Sequence, residues 1–288
     1  MIWLFLLAGV LNSGQPLLQP GDRVAIVGGT FVERMQDSGT FEAELQSRRP
    51  EWKLSFRNLG WSGDDVHGIA RKRFDGPEEG YQRILADVET ADPTVVLVAY
   101  GASEASDGAA AVERFEAGLM RLVGDLRSSG NKGRRVILVA PVATPGYRSA
   151  EYTKSVERIR AVIAKVAKQT DTPELAVDWK PSPGEVTHDG LVPNSVGYQT
   201  LATRLADRLV GPTGGAPRGG DGDRLAAAVV AKDELFFHRY RPQNETYLML
   251  FRKHEQGNNA AEIPRFDPLI QAADGRIWAT ARALKTDR

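Results

Sequence analysis

Short apolar runs alternate with longer amphipathic segments along most of the chain. The run Thr94–Tyr100 is apolar and rich in β-branched residues, which is typical of a strand buried on both faces. In the segment 109–128 the apolar residues recur at helical spacing. By these criteria strands are predicted at 22–28, 53–59, 94–100, 135–139 and 175–178, and helices at 31–48, 80–91, 109–128, 149–169 and 195–210.

Repeated strand–helix alternation predicts an α/β fold, a flavodoxin-like three-layer sandwich around a five-stranded parallel sheet. In such sheets ligands bind outside the carboxyl ends of the strands. This rule directs attention to residues 28–31, 60–65 and 100–107, and to the loop before Ser195.

Two segments follow this unit, which occupies residues 20–210. Residues 211–223 contain six glycines and two prolines, the composition of a flexible linker. Residues 224–288 form a mainly helical C-terminal extension with a helix near 225–237. The extension is too short to build a large core alone, so we expect it to clasp the main domain or to dock a protein partner.

The N-terminal residues 1–14 begin with about eleven apolar positions, fewer than the roughly 20 that span a bilayer. Their length suits the core of a signal peptide and predicts a secreted or periplasmic protein without a stable membrane span. No basic residue precedes the apolar run and no A-x-A cleavage site follows it. An apolar arm packed on the domain is therefore the alternative.

The amino-acid composition excludes several classes of function. Lys and Arg together number 37, as do Asp and Glu, and this balance argues against a nucleic-acid-binding protein. The chain has no cysteine, which excludes disulfides, thiol catalysis and cysteine-ligated zinc. Neither the G-x-G-x-x-G nor the G-x-x-x-x-G-K-[ST] phosphate-binding pattern occurs, so no cofactor is expected.

Four segments at the predicted strand ends resemble, in order, the sequence blocks of the SGNH (GDSL-type) ester hydrolases. They are Gly28-Gly29-Thr30-Phe31, Asn58-Leu59-Gly60-Trp61-Ser62-Gly63-Asp64, Tyr100-Gly101-Ala102-Ser103-Glu104 and Asp189-Gly190-Leu191-Val192-Pro193-Asn194-Ser195-Val196-Gly197-Tyr198. The resemblance covers about residues 20–210.

The family's chemistry is attack by a hydroxyl that a histidine activates and an acid orients, opposite an oxyanion hole. Carried over by the resemblance, Thr30 is the nucleophile, Gly63 a backbone donor to the oxyanion and Asp189 the orienting acid. Ser103 occupies the position of the family's oxyanion-binding asparagine.

The sequence departs from the family pattern at four positions. Gly29 replaces an aspartate, Thr30 a serine, Ser103 an asparagine and Val192 the catalytic histidine. Loss of the histidine weighs most, because a hydroxyl without a base is a poor nucleophile near neutral pH.

His188 is the candidate replacement for the missing base. Glu185 and His188 repeat the acid-x-x-His spacing four residues upstream, so a loop shifted by about one turn would bring His188 toward Thr30. The competing interpretation is an exposed loop histidine, since the residues around Pro193 fix the register with Val192 at the histidine position.

Other polar residues near the blocks have simpler interpretations. Asp64, Asp65 and Glu104 would suit a divalent cation, but carboxylates at loop ends are common without metal, and no metal is expected. His67 would face the site or lie on the surface where a helix starts.

Three interpretations of the function remain, the last of which is a structural module that mediates assembly through its C-terminal segment and binds no ligand in the pocket. The first is an exported esterase acting on acyl or acetyl esters, carbohydrate esters included, through Thr30, Gly63, Ser103, Asp189 and His188. The second is a catalytically inactive relative that binds a small ligand or a partner in the same pocket. Val192 favours the second and the Glu185–His188 pair favours the first.

Overall fold

The computed structural model describes residues 15–130, 133–142, 149–177, 179, 186–187, 192–212 and 219–286. The predicted signal-like segment 1–14 lies outside the described residues, as do Glu185, His188 and Asp189.

A five-stranded parallel sheet organises the fold. Its strands are β1 (Arg23–Gly28), β2 (Ser55–Gly60), β3 (Val95–Ala99), β4 (Arg135–Val139) and β5 (Glu174–Leu175). Their spatial order is β2-β1-β3-β4-β5, the flavodoxin-like order, which confirms the predicted architecture. Gly28 is aligned with Gly60 on one side and with Ala99 on the other, so the loops after these three strands meet at one edge.

Eleven α-helices lie within the described part of the chain. They are α1 (Thr30–Met35), α2 (Thr40–Arg48), α3 (Pro77–Ala91), α4 (Ala102–Ser106), α5 (Ala109–Ser128), α6 (Ala150–Thr170), α7 (Ser195–Val210), α8 (Gly220–Tyr240), α9 (Glu245–Leu248), α10 (Lys253–Gln256) and α11 (Phe266–Thr286). Single 3₁₀ segments occur at Pro50–Trp52, Ile69–Arg71 and Gly257–Arg265.

Each face of the sheet carries its own apolar core. Helices α3, α5 and α6 cover one face, where Tyr81, Phe115 and Ile159 are fully or almost fully buried. Helices α1, α2 and α7 cover the other, around Leu45 and Leu205. The three layers hold the strand ends, and therefore the loops that follow them, in fixed relative positions.

The single helix predicted over 31–48 is wrong. Two helices, α1 and α2, meet there at Gly39, whose φ of +63° lies in the left-handed region that favours glycine. A Cβ at Gly39 would lie 2.4 Å from the carbonyl oxygen of Ala226 in α8. The break therefore lets the C-terminal extension approach the backbone closely, a tertiary requirement that helical periodicity does not reveal.

The C-terminal extension packs on the sheet domain as a helix pair. Helices α8 and α11 contact each other and α2, burying Leu225, Val229 and Ile277. Helix α8 begins at Gly220, inside the stretch predicted as linker. The described residues include no helix that is both long and apolar enough to cross a membrane.

The extension also covers the edge strand β2. The Trp278 indole N–H donates to the Leu54 carbonyl oxygen just before β2 at 2.7 Å, and the Lys232 ammonium donates to the Phe56 carbonyl oxygen at 3.1 Å. Unpaired edge carbonyls are thereby satisfied, and β2 is closed to pairing with another chain.

Candidate active site

Thr30 lies where β1 turns into α1. It is the first residue of that helix, so its backbone N–H is among those that a helix leaves without an intrahelical acceptor. The Gly63 backbone N–H donates to the Thr30 hydroxyl oxygen at 3.0 Å. The structure thus brings together the hydroxyl and the backbone donor that the sequence assigned to the site.

The residue before Thr30 has room only for glycine. A Cβ at Gly29 would lie 2.8 Å from the Asp64 carbonyl oxygen and 3.2 Å from the Ser103 hydroxyl oxygen. The backbone of the loop after β2 occupies the space that a side chain would need. This contact explains why glycine stands where the related blocks have aspartate.

Gly29→Ala is expected to lower the free energy of unfolding by about 1–3 kcal/mol, because the loop backbone must shift to admit the methyl group. Urea denaturation measures the loss. Gly76→Ala is the matched control, since a Cβ at Gly76 meets nothing within 4 Å and the backbone φ of −75° suits alanine. Equal stabilities of the two variants would contradict the contact.

The loop after β3 is held by a buried carboxylate. One Glu104 oxygen accepts from the Gly101 backbone N–H and the other from the Val66 backbone N–H, each at 2.9 Å. Burial raises the pKa of Glu104 to about 7, although these two amides act to lower it. Glu104 thereby ties the Gly101 loop to the loop after β2, and Ser103, one residue earlier, points toward Gly29.

The described part of the last block is anchored beside Thr30. The Asn194 side chain caps α7 by accepting from the Gly197 backbone N–H at 2.9 Å. The Tyr198 hydroxyl donates to the Phe31 carbonyl oxygen at 2.6 Å, and the two rings lie 5.6 Å apart. Val192, at the position of the family histidine, lines the same cavity as Thr30. His188 and Asp189, the predicted base and orienting acid, lie outside the described residues.

A cavity of about 210 Å³ opens at these strand ends. Thr30, Ser103 and Val192 line it, together with Ser106 and Tyr152, two polar residues that the sequence analysis missed. Their positions depend on α4 and α6 converging on the loop after β3, a packing that no local motif announces. The volume is below the roughly 300–1,000 Å³ of sites for drug-sized ligands, so a small group fits it.

The acidic residues near the site bind protein groups. Asp64 pairs with the buried Arg71 at 2.7 Å, and Asp65 accepts from the backbone N–H groups of His67 and Ile69. Across the residues that the structure describes, no group of three or more metal-binding side chains gathers. His67 does not line the cavity; it packs against Gly118 of α5.

Asp64 links the site to the interior. Its carboxylate accepts from the Arg71 Nε and, at 2.9 Å, from the Tyr100 hydroxyl. Burial raises the pKa of Asp64, opposed by the positive charge of Arg71 and by these hydrogen bonds. The same arginine donates to Asp87 and to the Tyr240 hydroxyl of α8.

Comparison with known proteins gives three findings. The model of the GDSL-like lipase/acylhydrolase family matches residues 27–200. No curated protein matches the sequence. Among solved structures, similar chains include LAE5, an alpha/beta hydrolase enzyme from the metagenome of Lake Arreo, Spain, with 19% identity and a TM-score of 0.53, covering 68% of this chain and 99% of that one.

A second similar structure is Axe2, an acetylxylan esterase from Geobacillus stearothermophilus, with 16% identity and a TM-score of 0.53. The match covers 67% of this chain and 95% of that one. At these identities the likeness carries the fold. The match to the family model rests on the sequence itself. It spans more than half of the chain and includes Thr30, Gly63, Ser103 and Val192. The chain belongs to the GDSL-like lipase/acylhydrolase family.

Proposed function

We propose that the protein is an ester hydrolase acting on short acyl or acetyl esters, with carbohydrate esters among its substrates. One observation carries the proposal: the hydroxyl of Thr30, a residue that lines a small cavity, accepts a hydrogen bond from the Gly63 N–H at 3.0 Å. That pair provides a nucleophile and an oxyanion donor in contact. The acetylxylan esterase activity in the name of Axe2, a protein with the same fold, supports an acetyl ester as the first substrate to test.

In the proposed reaction the Thr30 oxygen attacks the ester carbonyl carbon and forms an acyl-enzyme, and the alcohol leaves. The backbone N–H groups of Thr30 and Gly63 stabilise the oxyanion, with the Ser103 hydroxyl beside them. Water then hydrolyses the acyl group from Thr30. His188, oriented by Glu185 or Asp189, is proposed to accept the Thr30 proton and to return it to the leaving oxygen.

Assays of p-nitrophenyl acetate and an acetylated xylooligosaccharide test this proposal. The wild type is expected to hydrolyse both, and Thr30→Ala and His188→Ala are expected to reduce turnover to the buffer rate. Thr200→Ala is the control, because its hydroxyl lies on α7 and bonds to the Val196 carbonyl oxygen. Activity that survives in both Thr30→Ala and His188→Ala would overturn the mechanism.

A catalytically inactive binding protein is the second candidate, and Val192 favours it. An isopropyl side chain lines the cavity at the family's base position and can neither accept nor donate a proton. Under this proposal the wild type binds an acetylated oligosaccharide in calorimetry without releasing acetate. Acetate release from the bound ligand would eliminate it.

Export to the periplasm or the extracellular space is also proposed, from the apolar segment 1–14. The N-terminal sequence of the protein recovered from its native compartment tests this. Retention of Met1 and the following residues would count against cleavage of a signal peptide.

A further inference from the structure

The loop Trp61–Asp64 presents the Gly63 N–H to Thr30, yet Gly63 itself makes few contacts. It is exposed, its φ is +74°, and a Cβ there would meet no atom within 4 Å. The position of the donor therefore depends on the flanking residues Trp61 and Asp64. Both flanks are held by the end of α8 in the C-terminal extension.

On the Asp64 side, the contact runs through Arg71, which is fully buried. Its Nε donates to Asp64 at 2.7 Å, and its Nη1 donates to the Tyr240 hydroxyl, also at 2.7 Å. The Tyr240 hydroxyl in turn donates to the Leu59 carbonyl oxygen at 3.3 Å, at the end of β2. Tyr240 thus fixes both the guanidinium that holds Asp64 and the strand from which the loop departs.

On the Trp61 side, Arg241 makes the contact. Its guanidinium carbon lies 3.9 Å from the centre of the Trp61 ring, a cation–π distance. Its Nη1 lies 3.2 Å from Glu33, whose other carboxylate oxygen accepts from the Ser62 backbone N–H. Glu33 is in α1, one turn after Thr30. Arg241 therefore ties the loop, through Glu33, to the helix that carries the proposed nucleophile.

We infer that Tyr240 and Arg241 are positioning residues: the C-terminal extension holds the Trp61–Asp64 loop so that the Gly63 N–H reaches Thr30. The extension then has a specific task at the site beyond covering β2. Neither Tyr240 nor Arg241 lines the cavity that contains Thr30, so both act on the site through Arg71, Trp61 and Glu33. The consequence for turnover rests on the proposed function, whereas the consequence for the loop does not.

Backbone hydrogen exchange measures how often the Trp61–Asp64 loop opens, and it needs no substrate. All four of its N–H groups donate hydrogen bonds: Trp61 to the Gly28 carbonyl oxygen, Ser62 to Glu33, Gly63 to Thr30 and Asp64 to the Trp61 carbonyl oxygen. In the full chain, Arg241→Gln is expected to accelerate exchange at residues 61–64 about tenfold, the effect of losing one charge-assisted hydrogen bond. Tyr240→Phe, which keeps the ring and removes the hydroxyl, is expected to act in the same direction.

Arg239→Gln is the matched control. It lies two residues earlier in α8 and pairs with Asp267 of α11 at 2.8 Å, entirely within the extension. Its exchange at 61–64 is expected to equal that of the wild type. Arg241→Lys, which retains the charge and loses the planar fork, is expected to fall between wild type and Arg241→Gln.

With p-nitrophenyl acetate, Arg241→Gln is expected to lower kcat about tenfold and to leave KM within about twofold, because an oxyanion donor acts in the transition state. Equal exchange at 61–64 in the Arg241 and Arg239 variants would overturn the inference. So would faster exchange with an unchanged kcat. A wild type that hydrolyses no ester would remove the proposed function alone, and the exchange comparison would still decide the role of Arg241.

Discussion

Val192→His, introduced into the His188→Ala background, is expected to raise kcat/KM for p-nitrophenyl acetate by about 10²-fold, the lower range for a positioned general base. Val192 lines the cavity with Thr30, so an imidazole at this position enters the site. The neighbouring backbone fixes that register: Pro193 bridges to Thr187, and Asn194 caps α7. The gain is expected to appear as pH rises through about 6.5, where a histidine becomes neutral and able to accept a proton.

Val196→His is the control for this variant. Val196 is 56% exposed on the first turn of α7 and does not line the cavity, so its replacement adds an imidazole without adding a base at the site. The His188→Ala background is used because a wild type that already has His188 as its base would mask the gain. An equal change of kcat/KM in the Val192 and Val196 variants would show that a histidine at position 192 does not act on the Thr30 hydroxyl.

The sheet and its site-bearing edge were predictable because buried parallel strands are continuous apolar runs. The apolar run Thr94–Tyr100 predicted β3, and the order of the blocks placed Thr30 and Gly63 after neighbouring strands. In the structure the Gly63 nitrogen lies 3.0 Å from the Thr30 hydroxyl oxygen. Strand signals are local, and the parallel register follows from the topology. Residues at neighbouring carboxyl ends are therefore close even when they are far apart in sequence.

Contacts that join distant segments were not predictable in the same way. Gly39 breaks a helix because α8 approaches it, and Gly29 is required because the Asp64 carbonyl oxygen occupies the adjacent space. Arg71 had no motif to mark it, although it is fully buried between acids from two elements. A buried arginine is visible only once its partners are placed, since sequence alone predicts an exposed one.

The role of the extension shows the same limit. The short length of the extension predicted either a clasp on the main domain or a docking surface for a partner, and length did not distinguish the two. In the structure Tyr240 contacts Arg71 and Trp61, and Arg241 contacts Trp61 and Glu33. These residues of the sheet domain accept the end of α8, and this geometry favours the clasp.

Lys232→Met is expected to lower the free energy of unfolding by about 3–5 kcal/mol at pH 8, the cost of leaving buried charges without their partner. The Lys232 ammonium lies 2.6 Å from both Glu42 and Asp233, and its side chain is fully buried. Burial would lower the pKa of Lys232, but the two carboxylates raise it above its usual value. Arg57, paired with Asp274 at 2.6 Å, also faces this cluster.

The loss is expected to be smaller at pH 5 because Glu42 can then take up a proton. Burial raises the pKa of Glu42 from 4.5 to about 7 in the folded protein, despite the charge of Lys232. A raised carboxyl pKa contributes stability that is complete below 4.5 and is lost as pH rises toward 7. Without Lys232 the pKa of Glu42 rises further, so Glu42 in the folded variant is neutral at pH 5. At pH 8 the folded variant must either bury an unpaired Glu42 carboxylate or keep Glu42 protonated, and both cost free energy.

Urea denaturation at the two pH values measures the difference, with two further variants to assign it. Glu42→Gln in the Lys232→Met background is expected to recover part of the loss at pH 8 by removing the stranded carboxylate. Lys285→Met removes an exposed ammonium that lies 3.1 Å from Glu51, and is expected to cost less than about 1 kcal/mol at either pH. If Lys232→Met costs no more than Lys285→Met at pH 8, the buried cluster does not hold α8 to α2. If Lys232→Met costs more, the Lys232 ammonium holds α8 to the sheet domain. The end of this same helix contacts the loop that carries Gly63.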